Sequence, residues 1–266
     1  MAFVASLTVF PIKSLAGVSV SACRVLPSGA LAGDREFALV DANGAWLNGK
    51  RWPDIHRLRA HFDLATRWVE LSYASSPDEP TPDPQRFALD GPHTELHRWL
   101  EAQIGVGCRM VQDTVRGFPD DDQAEGPTVI STATLETVAR WYPGLTVDNV
   151  RRRFRANIEI GGVPPFWEDR LFAEPGRGVR FRLGHVDWLG NNPCQRCTVP
   201  ARDPDSGAVW SDFAQIFQRQ RRELLPTWAA AERFDHFYRL AVNTRLIGLH
   251  GSDKVRVGDT ASVLEA

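Results

Sequence analysis

Short stretches in which apolar and polar residues alternate dominate the chain, and stretches with helical spacing are few. Phe3 to Phe10 is rich in Val, Leu and Phe and stops at Pro11, which predicts a strand. Val18 to Cys23 alternates as a second strand, and Glu36 to Val40 forms a third behind Gly33-Asp34-Arg35. Asp41-Ala42-Asn43-Gly44 follows. Asn-Gly is a strong hairpin signal, so Ala45-Trp46-Leu47 is the expected return strand. Leu58 to Leu64 and Trp68 to Tyr73 add two more, and the first 75 residues read as a β-meander or small barrel.

Helical spacing enters later. Thr94 is placed to cap a helix with Leu96, Trp99, Leu100 and Ile104 on one face. Pro127 to Thr132 leads into a helix carrying Leu135, Val138, Ala139 and Tyr142, which stops at Pro143-Gly144. Phe154, Ala156, Ile158 and Ile160 then alternate with Arg153, Arg155, Asn157 and Glu159. That predicts a strand with a basic face, ending at Gly161-Gly162. Val179 to Leu183 alternates and leads through His185, read as structural, to Trp188. Ser211 or Asp212 caps a helix with Phe213, Ile216 and Phe217, whose end at 218–223 reads as charged and solvated. Residues 237–249 and 255–264 are closing strands. The expected fold is mainly β with α, an α+β class, in two parts, 1–110 and 111–266. The acidic loops at 74–84 and 113–127 read as solvated connections.

Composition narrows the function classes. The 266 residues are 43% hydrophobic and 24% charged with a net charge of −2, which gives no support for non-specific nucleic-acid binding. Four cysteines are too few to staple a chain of this size, so a reducing compartment is the simpler expectation. The first ten residues are too short and lack the basic start of a secretory signal. No uncharged apolar run reaches the roughly 18 residues of a membrane span. A cytoplasmic protein without a membrane anchor is expected.

Candidate chemistry concentrates in Asn192-Pro193-Cys194-Gln195-Arg196-Cys197-Thr198-Val199-Pro200, followed by the turn Asp203-Pro204-Asp205-Ser206-Gly207. A thiol beside a guanidinium is biased toward thiolate, which binds soft metals or attacks electrophiles. One Cys-x-x-Cys is a weak signal, because a structural zinc site needs about four ligands and Cys23 and Cys108 stand alone. A functional thiol and a structural loop are about equally supported by this segment. Ser131 and Thr132 suit either a helix cap or an anion. Arg155 and Asn157 suit either a solvated strand face or a phosphate site.

Taken together, the pieces resemble the MOSC family, specifically two-part members with an N-terminal β-barrel such as the amidoxime-reducing component and its bacterial relatives. The resemblance rests on Pro11-Ile12-Lys13-Ser14, Gly17-Val18, Gly33-Asp34-Arg35, Ile130-Ser131, Phe154-Arg155-Ala156-Asn157-Ile158, Cys194-Gln195-Arg196-Cys197, Asp203 to Gly207 and Val257-Gly258-Asp259. It implies that Cys197 is the protein ligand to molybdenum in a molybdenum–pterin (molybdopterin) cofactor. It implies cofactor contacts from Lys13, Ser14, Arg35, Ser131, Thr132, Arg155, Asn157, Gln195 and Arg196. Gln195 stands where the family is expected to carry serine. Asp203 is a candidate acid near the site, either supporting the residues that contact the cofactor or handling protons, and Cys194 is expected to be structural.

The resemblance further implies an oxidoreductase that reduces N-hydroxylated or N-oxygenated small molecules. Its electrons would come from a separate reductase or ferredoxin-like protein, since no iron–sulfur cysteine pattern is present. The alternatives are a sulfur carrier with a persulfide on Cys197 and a non-catalytic cofactor-binding protein. A pyridoxal-phosphate association, attached to the wider family, has no signature here, because Lys13 suits a phosphate contact at least as well as a Schiff base.

Overall fold

The computed structural model describes residues 1–74 and 82–264. Most of the expected loop at 74–84 therefore lies outside the described residues. The N-terminal half holds β1 (Phe3–Val9), β2 (Val18–Val20), β3 (Ala22–Arg24), β4 (Phe37–Asp41), β5 (Leu58–Asp63), β6 (Trp68–Tyr73), β7 (Gln85–Ala88), α1 (Thr94–Ile104) and β8 (Cys108–Gln112). Then come β9 (Val129–Ser131), α2 (Thr132–Arg140), α3 (Val147–Phe154), β10 (Ile158–Gly161), β11 (Val179–Leu183), β12 (Val186–Gln195), α4 (Phe213–Glu223), β13 (Arg239–Leu249), β14 (Lys254–Arg256) and β15 (Ala261–Val263). The fold is mainly β with flanking helices.

The dominant sheet has eight strands in the order β15-β11-β12-β13-β9-β10-β1-β2. It curls so that β15 comes back to the start of β1: Phe3 bridges Thr260, and Ala261 N–H donates to the Ala2 carbonyl at 3.0 Å. The inward residues Val4, Leu7, Ile158, Ile160, Phe181, Trp188 and Val242 form one buried core. The alternation seen in the sequence is thus the barrel's inside and outside. The N-terminal strands β1 and β2 belong to this sheet through the pairing of β1 with β10, while β3 and β14 pair in a separate two-stranded sheet. A second core, around Phe37, Leu39, Leu58, Val69 and Leu100, fills the N-terminal strands β4 to β8 and α1. A third, around Leu135, Tyr142, Phe154, Phe213 and Phe217, joins α2, α3 and α4. Among the described residues no helix is long and apolar enough to cross a membrane.

Several expectations are corrected. Val18 to Cys23 is two strands, broken at Ser21, with different partners. Ala45 to Leu47 makes only an isolated bridge from Trp46 to Val40. There the Asp41 carboxylate accepts the Asn43 and Ala45 amides at 2.9 Å each and closes the turn. Thr94 is the first helical residue rather than the cap.

The segment 153–160 is not one strand. Thr146 caps the Asn149 amide at 3.1 Å, and the buried Val150 and Phe154 lie on the helical face that starts there. The helix ends at Arg155 in a left-handed conformation, φ 52°. The strand begins only at Ile158, parallel to β9. The end of α4 is not solvated either: Arg221 is 1% exposed and pairs with buried Asp169. Phe213, Phe217 and Arg221 follow at intervals of four residues, so the arginine lies on the apolar stripe.

Candidate functional site

Lys13, Arg35, Arg155 and Asn157 converge where β1, the 33–35 turn and the α3–β10 connection meet. Their backbones are unusual. Six described non-glycine residues have positive φ, and three of them are the expected contacts Ser14 at 74°, Arg35 at 48° and Arg155 at 52°. Strain of this kind persists where surrounding bonds over-determine it, and it collects at binding sites. Both Arg35 and Arg155 lie over the Phe10 ring, at 5.3 and 4.1 Å. Arg155 also donates to the Leu15 carbonyl at 2.6 Å. Burial, reinforced by the Arg35 charge, lowers the Arg155 pKa to about 10. The site therefore holds two crowded cations that gain from an anion.

Asn157 organises this cluster from within. Its Nδ2 donates to the Thr8 carbonyl and to Asp34 Oδ1, both at 3.0 Å. Its Oδ1 accepts the Thr128 amide at 3.1 Å and the Thr128 hydroxyl at 3.2 Å. The side-chain amide is saturated by the chain. Asp34 in turn accepts the Phe10 amide at 2.8 Å and pairs with Arg35, which aims that guanidinium. Asp34 was not singled out by sequence, although it stands inside the quoted Gly-Asp-Arg motif.

The cysteines differ sharply. Cys194 is buried in β12, and its thiol donates to Asn243 Oδ1. Burial pushes that thiol up to about 11 against the nearby Arg196 charge. Pro193 is tolerated in the strand because the ladder shifts register on both sides of it. The strand runs through Gln195, and the loop begins only after it. Cys197 lies beyond the strand, exposed, and its sulfur accepts the Val199 amide at 3.4 Å. Gln195 is exposed at the strand end. Arg196 turns inward: its guanidinium donates to Leu240 and Phe154 carbonyls and lies over the Phe154 ring. Its role beside Cys197 is to pin the loop.

Ser131 is the N-cap of α2, accepting the Thr134 amide at 3.1 Å, and is fully buried. Thr132 Oγ1 is enclosed without a hydrogen-bond partner. Glu168, which sequence reading missed, holds this helix start from behind. Its Oε2 accepts the Ser131 amide and the Thr134 hydroxyl, each at 3.1 Å. Burial, with the adjacent Asp169 charge, raises the Glu168 pKa well above the ordinary carboxylate range. The folded state therefore keeps a proton that the unfolded chain has lost, and stability falls as pH rises past that range. Between about pH 5 and about pH 8, wild type should lose about 2 kcal/mol more stability than Glu168→Gln. Urea unfolding at both pH values checks this, and parallel losses would contradict it.

Asp203 closes its own turn. Oδ1 accepts the Asp205 amide at 3.1 Å and both the amide and the hydroxyl of Ser206 at 2.9 Å. Oδ2 lies 3.6 Å from Arg153. Although partial burial opposes it, these donors hold the pKa below the ordinary value. An ionised turn-closing carboxylate is poorly suited to deliver protons.

The donor set suits a cofactor that brings most of its own metal ligands. Among the described residues no group of three or more His, Cys, Asp or Glu could hold a metal. One exposed thiol, a three-cation cluster and an unpartnered enclosed hydroxyl are present. Lys13 Nζ donates to the Phe118 and Pro119 carbonyls at 3.0 Å and pairs with Asp120, the bonding of an anchored cation.

The family description "MOSC N-terminal beta barrel domain" matches residues 1–125, and "MOSC domain" matches 127–262. A molybdenum cofactor sulfurase of Drosophila grimshawi is 29% identical over 220 residues, covering 73% of this chain and 27% of that protein. The Caenorhabditis briggsae protein of the same name is 28% identical over 222 residues, covering 77% and 29%. One from Oryza sativa subsp. japonica is 26% identical over 246 residues, covering 77% and 29%. The chain spans less than a third of the length of these relatives. By its two matched domains, the chain belongs to the MOSC family, with the N-terminal MOSC β-barrel preceding the MOSC domain.

Proposed function

We propose that this chain binds a molybdenum–pterin cofactor and uses it to reduce N-hydroxylated or N-oxygenated small molecules. The observation that carries the reading is the exposed Cys197 thiol at the end of β12, with the Lys13, Arg35 and Arg155 cluster in the same domain assembly. When bound, the cofactor would supply the two-electron redox chemistry of oxygen-atom removal. Cys197 would provide the soft thiolate for molybdenum. Lys13, Arg35 and Arg155 would hold the terminal phosphate, where a guanidinium can bind in a bidentate manner. Thr132 and Ser14 would meet polar edges of the pterin. Asn157 and Ser131 would act through the backbone they fix, since their side chains are already engaged. Electrons would come from a separate donor protein. Division into 1–110 and 111–266 accompanies this reading.

The experiment is reduction of a panel of N-oxides and N-hydroxylated compounds by metal-loaded protein with an artificial donor. Wild type should turn over, and Cys197→Ser should fall to background. No turnover across the panel would reject the reductase reading.

A second reading has its own support in the similarity to relatives named as molybdenum cofactor sulfurases. In it, Cys197 carries a persulfide and passes the outer sulfur to an acceptor. Cyanide-releasable sulfur on wild type, absent from Cys197→Ser, with no bound metal, would favour this reading over the first.

A further inference from the structure

The tip of the acidic loop at 113–127 already places an anion among the cations of the site. Asp120 Oδ1 is 2.7 Å from Lys13 Nζ, and Oδ2 is 3.7 Å from Arg35 Nε. Although its surroundings oppose its charge, Arg35, Lys13 and then Arg155 bring the Asp120 pKa down to about 2. The same three cations are those assigned to the cofactor's phosphate. Yet the side chain is 70% exposed, whereas those of Lys13 and Arg35 are 14% and 12% exposed. Asp120 therefore covers the cations from the solvent side.

The loop is fastened on both sides of this tip. Phe118 N–H donates to the Arg35 carbonyl at 2.8 Å, and Gly117 at φ 66° packs so close to the Asp34 carbonyl that a Cβ would clash. Beyond the tip, Asp121 accepts from Asn243 at 2.9 Å and Gly126 N–H donates to Thr244 at 2.9 Å. A turn of the Asp120 side chain, with the loop otherwise in place, removes its contacts to Lys13 and Arg35 while the Phe118 and Pro119 carbonyls keep Lys13 anchored.

We propose that Asp120 is a built-in competing anion that holds Lys13 and Arg35 until a phosphate ester displaces it. This rests on the cofactor reading above. The Asp120 side chain is open to solvent and can be rehydrated when it leaves, so Asp120 is an exchangeable occupant. A phosphate dianion offers more charge and more acceptor oxygens to the same cations. A monocarboxylate gains nothing by replacing another carboxylate. Asp120 thereby selects for phosphate esters and relieves the repulsion between Arg35 and Arg155 when no ligand is present.

The test uses the full chain, produced in a host unable to make the pterin, titrated calorimetrically with inorganic phosphate and with acetate. Asp120→Asn should bind phosphate about fivefold tighter than wild type and acquire acetate binding. Asp120→Glu, which keeps the charge, should resemble wild type. Phosphate binding equal to or weaker than wild type in Asp120→Asn, with binding lost in Lys13→Ala, overturns the competing-anion proposal and leaves the cofactor reading standing. No phosphate binding by either wild type or Asp120→Asn overturns both, because the cluster is then not an anion site.

Discussion

Arg221→Met is expected to cost about 3–5 kcal/mol of stability, because it strands Asp169 as a buried, uncompensated carboxylate. Arg221 and Asp169 have side chains 1% and 4% exposed and are paired. The guanidinium also lies between Phe166 and Phe234, at 4.4 and 4.8 Å from their ring centres. Methionine keeps the packing volume and removes the charge. Adding Asp169→Asn should restore much of the loss, since the pair is then neutral on both sides. Equilibrium denaturation of the single and double variants measures this. A loss under about 1 kcal/mol in the single variant would mean that the pair is not the buried anchor described.

The second large effect belongs to Asn157. Asn157→Ala removes an amide that is 2% exposed and leaves the Thr128 amide and Asp34 short of partners. The expected cost is about 2–4 kcal/mol. Asn157→Asp keeps the acceptor for Thr128 but sets a second carboxylate against Asp34, so it should be no milder than alanine. Both variants should also weaken phosphate binding, because Asp34 aims Arg35. A fully stable Asn157→Asp protein would contradict the assignment of its Nδ2 as the donor to Asp34.

The strands were legible in the sequence wherever one face meets a core. Phe3–Val9, Trp68–Tyr73 and Val179–Leu183 alternate because each lines an interior. The alternation at 153–160 misled because Phe154 serves the core from a helix while Ile158 and Ile160 serve another from a strand. The left-handed Arg155 that joins them leaves no periodic trace. Arg221 was legible in principle, through its spacing from Phe213 and Phe217, but charge outweighed period in the reading. The candidate site motifs could be picked out because they are local. Asp120 was not, since its meaning depends on Lys13, more than a hundred residues earlier, and its Asp-rich surroundings resemble any solvated loop. Glu168 is likewise defined by its distance to Ser131, which no local pattern records.

The central claim is that Cys197 ligates molybdenum. Because Cys197 is exposed and outside every core, Cys197→Ser should leave the fold intact. The decisive measurement is elemental analysis of wild type and Cys197→Ser, purified from cells that make the cofactor and are grown with molybdate. Near-stoichiometric molybdenum in wild type and its loss in the variant is the predicted result. Wild-type protein without molybdenum, or equal molybdenum in both, would contradict the account.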